Sequence, residues 1–530
     1  MASYITEEEI EQALLNKLEN GEFGYDVVRC SADPNRQEDL NDGTGRGSKK
    51  QCVLPIVLAE SLRRLNPNVP LDKLDDVVHS LKVDFSGADI RDKNYELYGR
   101  LRSGVTVGTR RNGAADFEIV RLIDFDEPAN NTLTAVSQMW IQGRFGWRRP
   151  DVLLFVNGLP VVYIELKKSN IPVSQAYDKN LTDCMRDIPN LFAFNQLCVL
   201  SNGIETRVGA FSAPYGHFFE WLKTNEVERV DRSVFVRDKS SLKFFADALL
   251  HRDTLIDYIE NFILFENKTT KIIAKNHQYI GVNNLMESMK RRGELKGRLG
   301  VFWHTQGSGK SYSMVMFARK VLRKLEGSFT FLCVTDREDL DTQLYKNFVR
   351  TDVIGDKEEC QPKNSEQMRA YLQSSKPFVF TLIQKFRYDK GKQYPVLTER
   401  DDVIVMVDEA HRTQYKDLAE NMRTALPNAN FIAFTGTPLL GAKRLTNQWF
   451  GDYVSEYNFA QSVDDGSTVP LYYSRRLPEV WLQNNFLDDD VLDIIEQENL
   501  NEAEEQRLKN SNSCIFEVIK RDERLDKIAR

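Results

Sequence analysis

Two acidic residues and a lysine flank a pair of apolar segments near residue 160. Asp151 directly precedes the segment VLLFV, and Glu165 and Lys167 end the segment LPVVYIELK. The dipeptide Asn157-Gly158 between the two segments is the strongest short signal of a hairpin turn. Because side chains alternate between the faces of a strand, Glu165 and Lys167 share one face. The pattern predicts a β-hairpin that carries three charged side chains at one end.

The register of this hairpin decides how close the charges come to one another. A two-residue turn places Val156 opposite Leu159, and the same register places Asp151 opposite Ile164. Asp151 is then expected next to Glu165 on the neighbouring strand.

Two carboxylates and an ammonium group in one place suit phosphodiester hydrolysis. Asp151 and Glu165 are candidate ligands of Mg²⁺, a hard cation that prefers oxygen. The metal would activate water and neutralise charge on the scissile phosphate, and Lys167 would orient the water or stabilise negative charge. These three residues are the predicted catalytic set. A solvated strand end with an ordinary Glu–Lys pair is the alternative explanation.

A second group of residues suits the binding of nucleotide phosphates. The apolar segment LGVFWH leads into TQGSGKS, and a helical pattern follows. Glycines let backbone N–H groups approach phosphate at a helix N-terminus. Lys310 is expected to reach the β- and γ-phosphates of ATP and Ser311 to bind Mg²⁺. The predicted nucleotide-binding residues of this loop are Thr305, Gln306, Gly307, Ser308, Gly309, Lys310 and Ser311.

This loop departs from the strict P-loop pattern at one position. The pattern asks for glycine five residues before Gly309, where this chain has His304. A glycine turn that merely caps a helix is the alternative explanation of the segment.

A third group lies at the end of the apolar segment VIVMV. Asp408 is expected to hold Mg²⁺ and Glu409 to polarise the water that attacks ATP. His411 completes the sequence DEAH. Downstream, FIAFTGTP ends in the small polar residues 435–437, for which a plain strand-to-turn boundary is the alternative.

The elements that must position these residues indicate an α/β fold with two kinds of sheet. Thr6 and Glu9 form a capping box for a helix that extends to Leu18, and strand-like segments dominate 105–200. Beyond about Lys271, five apolar strand-like runs alternate with helical ones: LGVFWHT, SFTFLCVT, PFVFTLI, DVIVMVDEA and NFIAFTGTP. That alternation is typical of a parallel sheet, whose ligand site lies at the carboxyl ends of the strands.

Composition restricts the class of protein. The chain has 530 residues, of which 41% are hydrophobic and 28% charged, with a net charge of −7. These values are typical of a soluble globular protein of several domains. The seven cysteines are scattered without a CxxC pair, which argues against a zinc site or a disulfide framework and fits the cytoplasm. No secretory signal and no apolar run of about 20 residues is present, so a membrane role is not expected.

The motifs together resemble a known family. The Asp151, Glu165 and Lys167 pattern resembles the PD-(D/E)xK nuclease core, and the string RRPD, NGLP, IELKK resembles the restriction (R) subunit of type I restriction enzymes. GSGKS, DEAH and TGT, together with 334–344 and 381–386, resemble the first RecA-like lobe of a superfamily 2 helicase. The resemblance extends from about Glu7 to the end of the chain.

The resemblance suggests further site residues. Glu11 matches by position an acidic residue on an upstream helix, with an ordinary surface glutamate as the alternative. Gln278 resembles the glutamine that reads adenine, with an ordinary helical glutamine as the alternative. Many R subunits carry Gln-x-x-x-Tyr on the helix after the lysine strand. Here Lys179 and Asp183 occupy those places, and Gln175 is a candidate substitute.

The resemblance also implies a function and partners. The expected activity is that of a type I site-specific deoxyribonuclease: a hydrolase that cleaves double-stranded DNA and a translocase driven by ATP hydrolysis, with ATP and Mg²⁺ as cofactors. Specificity and modification (methyltransferase) subunits would supply recognition and methylation, and the expected location is the prokaryotic cytoplasm. A type III-like restriction subunit, a DNA-repair helicase–nuclease, or a DNA-binding ATPase scaffold with an inactive nuclease are the alternatives.

Three segments are expected along the chain. Residues 1–260 would form the mixed-sheet nuclease domain, 261–460 the RecA-like ATP-binding lobe, and 461–530 an acidic helical connector that begins a second lobe. Because no second set of motor strands follows Pro438, we expect a piece of a subunit about twice this length.

Overall fold

The computed structural model describes residues 4–82, 89–111, 114–355, 359–374, 376–386, 394–408, 416–437 and 445–470. The predicted residue Glu409, with His411 and the acidic segment 471–530, lies outside these ranges. The chain folds into two compact units. The first comprises Met1–Met286, Gly309–Leu325 and Leu344–Glu358, and the second comprises Glu287–Ser308, Glu326–Gln343 and Glu359–Arg530.

The helices within the described ranges are, in chain order, α1 (Glu7–Glu19), α2 (Pro55–Leu65), α3 (Leu71–Leu81), α4 (Ile90–Ser103), α5 (Thr182–Asp187), α6 (Arg232–Asp238), α7 (Ser241–Leu249), α8 (Arg252–Asn261), α9 (Asn276–Lys290), α10 (Lys310–Lys324), α11 (Glu338–Arg350), α12 (Ser365–Gln373), α13 (Lys416–Ala425), α14 (Leu445–Phe450) and α15 (Phe459–Asp464).

The strands of the same ranges are β1 (Tyr25–Arg29), β2 (Val105–Arg111), β3 (Ala114–Val120), β4 (Leu133–Ser137), β5 (Ile141–Gln142), β6 (Trp147–Arg148), β7 (Val152–Val156), β8 (Leu159–Leu166), β9 (Leu197–Ser201), β10 (Thr206–Gly209), β11 (Phe219–Glu220), β12 (Ile263–Glu266), β13 (Thr270–Ile273), β14 (Arg298–His304), β15 (Thr330–Thr335), β16 (Phe378–Leu382), β17 (Val403–Asp408), β18 (Asn430–Thr435) and β19 (Tyr453–Tyr457).

A seven-stranded mixed sheet forms the centre of the first unit. Its order is β1-β4-β7-β8-β9-β10-β11. The β1–β4 and β8–β9 pairs are parallel, and the other pairs are antiparallel. Strands β4, β7, β8 and β9 are buried along almost their whole length, which explains their nearly continuous apolar sequences. The predicted mixed sheet is confirmed.

Helix α1 begins as the sequence predicts. The Thr6 side chain accepts a hydrogen bond from the Glu9 backbone, and the Glu9 side chain accepts one from the Thr6 backbone. One face of the helix is buried, and it consists of Ile10, Glu11, Leu14, Leu15 and Leu18. Glu11 therefore points into the unit with the apolar residues.

The predicted hairpin is present, and its register is one residue different from the predicted one. Val156 pairs with Leu159 at the turn, as expected. Further along, Val152 rather than Asp151 pairs with Ile164, because β8 contains a bulge after Pro160. Proline has no N–H to donate to the neighbouring strand, which makes it compatible with such an irregularity.

A buried lysine joins β13 to the turn before β9. The Lys271 ammonium donates hydrogen bonds to the Asn94 side chain (3.2 Å), the Gln196 side chain (3.1 Å) and the Asn195 carbonyl. Burial lowers the pKa of Lys271 to about 7.

The second unit contains a six-stranded parallel sheet. Its order is β16-β15-β17-β18-β14-β19, and every neighbouring pair is parallel. Five of these strands are the apolar runs identified in the sequence, so the predicted parallel sheet is confirmed. Strand β19 was not predicted and adds an edge strand beside β14. Among the described residues, no helix has the length and apolar character needed to span a bilayer.

Candidate functional site

The hairpin of β7 and β8 brings the three predicted nuclease residues together; we call Asp151, Glu165 and Lys167 the carboxylate cluster. Asp151 Oδ2 accepts a hydrogen bond from the backbone N–H of Leu166 at 2.8 Å. The Asp151 side chain therefore reaches the strand that carries Glu165. The bulge in β8 makes this approach possible, because it shifts the register of the hairpin by one residue. Asp151 moves from the place opposite Ile164 toward Glu165.

Glu165 is almost completely enclosed. Only 3% of its surface is exposed. The Tyr163 hydroxyl donates to its Oε2 at 2.7 Å, and the Lys167 ammonium lies 3.4 Å from its Oε1. Burial and the negative charge of Asp151 raise the pKa of Glu165 well above its ordinary value, and Lys167 opposes this shift. A cation placed between the carboxylates would remove their repulsion.

Glu11 joins the same cluster from helix α1. Burial raises its pKa to about 7, and the charge of Asp151 acts in the same direction. The side-chain N–H groups of Gln138 donate to Glu11 Oε2 and to Asp151 Oδ1, the latter at 3.3 Å. Gln138 was not among the predicted site residues.

The cluster fits a magnesium ion that is bound mainly by water and substrate. Mg²⁺ in proteins is commonly held by one or two carboxylates together with waters and phosphate oxygens. Asp151 and Glu165 offer that number of carboxylates, and their mutual repulsion favours a cation. Across the described ranges no three Asp, Glu, His or Cys side chains form a ready-made metal cage.

The helix after Lys167 has an unusual form. Residues Ala176–Leu181 form a π-helical turn that leads into α5. Lys179 is exposed, and Asp183 forms ion pairs with Arg148 (3.1 Å) and Arg186 (2.9 Å). The two residues at the Gln-x-x-x-Tyr places are thus an exposed lysine and an aspartate committed to ion pairs.

The loop that is predicted to bind phosphate follows β14. Gly307 and Gly309 both have left-handed φ angles, 79° and 86°, which few other residues tolerate. The Ser308 N–H donates to the Thr305 carbonyl at 3.2 Å within the loop. Helix α10 begins at the residue after Gly309, so Lys310 and Ser311 are its first two residues. This is the strand–loop–helix order that the motif requires.

The histidine that replaces the first glycine of the motif belongs to the strand. His304 is the last residue of β14 and is fully buried. Its Nε2 lies 2.8 Å from the Ser455 hydroxyl on β19, and the next residue, Thr305, donates its N–H to the Tyr457 carbonyl at 2.9 Å. The departure from the strict pattern therefore anchors the loop to β19.

Gln278 lies against the other end of the loop. Its Nε2 donates to the Gly309 carbonyl at 3.0 Å, and its Oε1 accepts from the Lys275 backbone at 2.9 Å. A side chain added at Gly309 would place its Cβ only 2.8 Å from Gln278 Nε2. Gln278 thus supports the phosphate loop directly; the assignment of an adenine contact stays a prediction.

The remaining segments that resemble helicase motifs meet at one edge of the parallel sheet. Asp408 ends β17, and its register partner Phe434 is followed by the buried Thr435 at the end of β18. The Gln384 side chain donates to the Asp336 carbonyl at 2.9 Å, which joins the segments 334–344 and 381–386. Because β14 also ends at this edge, Asp408 and the start of the phosphate loop lie on the same side of the sheet.

Comparison with known proteins identifies the family of the chain. Residues 4–217 match the family model described as type I restriction enzyme R protein N terminus, and residues 277–506 match the SWI2/SNF2 ATPase model. The type I restriction enzyme HindI endonuclease subunit of Haemophilus influenzae is 37% identical over 88% of this chain. The chain belongs to the R-subunit family of type I restriction enzymes.

Other R-subunit comparisons give the extent of the similarity. A Methanocaldococcus jannaschii protein, named provisionally as the type I restriction enzyme MjaIXP endonuclease subunit, is 30% identical over 98% of this chain. The chain spans about half of these R-subunit relatives, 46% of the Haemophilus protein and 51% of the Methanocaldococcus protein. One solved structure is a fragment of a provisionally named HsdR subunit from Vibrio vulnificus YJ016. Its alignment with this chain covers 60% of this chain and 52% of the fragment, at 18% identity and a TM-score of 0.27.

Proposed function

We propose that this chain cleaves double-stranded DNA as part of a type I restriction subunit, in a reaction driven by ATP. The observation that carries this proposal is the convergence of Asp151, Glu165 and Lys167 at one end of a buried hairpin. A solvated strand end would leave these side chains in water, whereas Glu165 is enclosed.

The cluster would divide the work of phosphodiester hydrolysis. Asp151 and Glu165 would hold Mg²⁺, which supplies an activated water and neutralises charge on the phosphate. The Lys167 ammonium, 3.4 Å from Glu165 and 2.6 Å from the Leu166 carbonyl, is held at the cluster, where it would donate to the water or to a phosphate oxygen. The Tyr163 hydroxyl would fix the second oxygen of Glu165.

The parallel sheet would supply the motor. Backbone N–H groups of residues 305–309 would hold the phosphates of ATP, Lys310 would neutralise them, and Ser311 and Asp408 would hold Mg²⁺. By the family resemblance Glu409 would polarise the attacking water. Hydrolysis would drive translocation along DNA in the complete subunit.

We further propose a division of labour along the chain and with partners. Residues 1–260 would serve cleavage, 261–460 nucleotide binding, and 461–530 the connection to a second motor lobe. Modification and specificity subunits would provide methylation and target recognition, and the complex would act in the prokaryotic cytoplasm. An inactive nuclease scaffold is the second candidate, and the complete Asp151, Glu165 and Lys167 set disfavours it.

Two variants of the full-length subunit, assembled with its partners, test the proposal. Glu165→Ala should abolish cleavage of supercoiled plasmid DNA and leave DNA-stimulated ATP hydrolysis intact, because the two sites use different residues. Lys310→Ala should abolish ATP hydrolysis, and cleavage should fail with it. Normal cutting by Glu165→Ala would refute the nuclease assignment, and normal cutting by Lys310→Ala would refute the dependence on ATP.

A further inference from the structure

Gln138 has a backbone conformation that its residue type rarely adopts. It directly follows β4 with a φ of 55°, in the left-handed region that favours glycine. Its backbone N–H donates to the Asp151 carbonyl at 2.9 Å, so the strained residue is fixed beside the residue that begins the cluster. Strain of this kind persists only where the surrounding structure enforces it, and it is common at functional sites.

The Gln138 side chain bridges two acidic residues from different elements. Its Nε2 donates both to Glu11 Oε2 on α1 and to Asp151 Oδ1 beside β7. Only the amide nitrogen can donate to two carboxylates, which decides the orientation of the amide group. This orientation has a cost, because the carbonyl Oε1 is buried and has no hydrogen-bond partner among the residues that the structure describes. Buried polar atoms without a partner are rare in native proteins.

Together these contacts hold both oxygens of Asp151. Oδ2 is held by the Leu166 N–H and Oδ1 by Gln138. We propose that Gln138 is a positioning residue of the carboxylate cluster, which orients the Asp151 carboxylate and connects it to Glu11. This inference rests on the proposed function, because it assigns Gln138 to the same DNA-cleavage site.

A purely structural role for the residue makes a different prediction. Glycine adopts a φ of 55° without steric cost, so Gln138→Gly should retain the fold. If the side chain served only the fold, the variant would be less stable, but its folded molecules would cleave DNA at the wild-type rate. If it positions Asp151, the variant should fold and cleave slowly.

The test uses the full-length subunit with its partners. Gln138→Gly should lower the rate of DNA cleavage by about 10- to 100-fold, as is typical for the loss of a residue that supports a metal ligand. It should also raise the Mg²⁺ concentration needed for half-maximal cleavage and leave DNA-stimulated ATP hydrolysis unchanged. Gln138→Glu, which keeps the size and places a third carboxylate between two others, should be at least as defective.

Lys239→Gly is the matched control. Lys239 is another left-handed residue (φ 50°), at the C-terminus of α6, and its side chain donates a hydrogen bond to the Val236 carbonyl at 3.1 Å. This control should cleave at the wild-type rate.

The outcomes separate this inference from the proposed function. Wild-type cleavage and Mg²⁺ dependence in Gln138→Gly, with Asp151→Ala inactive, would overturn the role of Gln138 alone. An equal loss in Lys239→Gly would assign the effect to the backbone and would also overturn it. If Asp151→Ala itself cut normally, the proposed function would fail.

Discussion

A lysine on helix α10 tests how firmly that helix is held in the first compact unit. The Lys320 ammonium lies 2.6 and 2.7 Å from the two carboxylate oxygens of Asp257 on α8, and 2.6 Å from the Asn283 side chain on α9. It also lies 4.9 Å from the centre of the Phe262 ring. Lys320→Met keeps most of the aliphatic chain and removes the charge with its three hydrogen bonds.

The expected cost follows from the burial of the pair. The side chain of Lys320 is 10% exposed and that of Asp257 is 24% exposed. Removing one partner of a fully buried pair costs about 3–5 kcal/mol, whereas an exposed pair contributes about 0–1 kcal/mol. Asp257 keeps some solvent and a hydrogen bond from Asn261 at 2.9 Å. We therefore expect Lys320→Met to lose about 2–3 kcal/mol, an intermediate value.

Hydrogen exchange followed by mass spectrometry measures this loss locally. Peptides from α8 and α10 should exchange roughly 30- to 150-fold faster in the variant, which corresponds to about 2–3 kcal/mol. Lys290→Met is the matched control, because the Lys290–Glu287 pair has a similar distance of 2.7 Å and side chains that are 56% and 66% exposed. Equal effects of the two variants would refute the argument from burial.

Three further predictions concern residues of the first unit. Burial lowers the pKa of Lys271 to about 7 in the folded protein, whereas a lysine in the unfolded chain has a pKa of about 10.4. Between about pH 7 and pH 10.4 the unfolded chain therefore binds one more proton than the folded protein. The free energy of unfolding, measured by urea titration, should therefore rise with pH from about 7 to 10, by up to about 1.4 kcal/mol per pH unit. The Lys271→Met variant should lack this rise. Parallel pH profiles for the wild type and the variant would contradict the assignment. Gly158→Ala should lower the thermal unfolding temperature and reduce the free energy of unfolding by more than about 1 kcal/mol. The reason is that Gly158 has a φ of 80° and the new Cβ would lie 2.6 Å from the Leu54 carbonyl. An unchanged melting curve would contradict the tight packing of the turn. Tyr163→Phe removes a hydroxyl donor from Glu165 and should slow plasmid cleavage about 10-fold in the full-length enzyme, and a wild-type rate would show that this contact is dispensable.

The sequence predicts those parts of the fold that depend on local signals. The capping box of α1, the turn at Asn157-Gly158 and the strand–loop–helix order around Gly309 all follow from residue types at fixed spacing, and the structure contains each of them. The five long apolar runs of the parallel sheet are equally visible, because strands buried on both faces have continuous hydrophobic sequences.

The parts that the sequence did not predict depend on contacts between distant residues. The bulge after Pro160 changes the register without changing the hydrophobic pattern, so Asp151 was predicted one position from its place. Strand β19 is short and has the mixed sequence YVSEY, which only its pairing with β14 explains. Gln138 follows β4 as an ordinary polar residue, and neither its left-handed backbone nor its contact with Glu11 has a sequence signal.

The interleaved path of the chain has a consequence for how the protein is made. The seven-stranded sheet is complete in the chain at β11, but the compact unit that contains it also includes α10 and the segment that begins at Leu344. During synthesis, Asp257 therefore emerges from the ribosome before its lysine partner does. A gene fragment that ends at Met286 would encode the whole sheet, but Asp257 on α8 would lack its lysine partner.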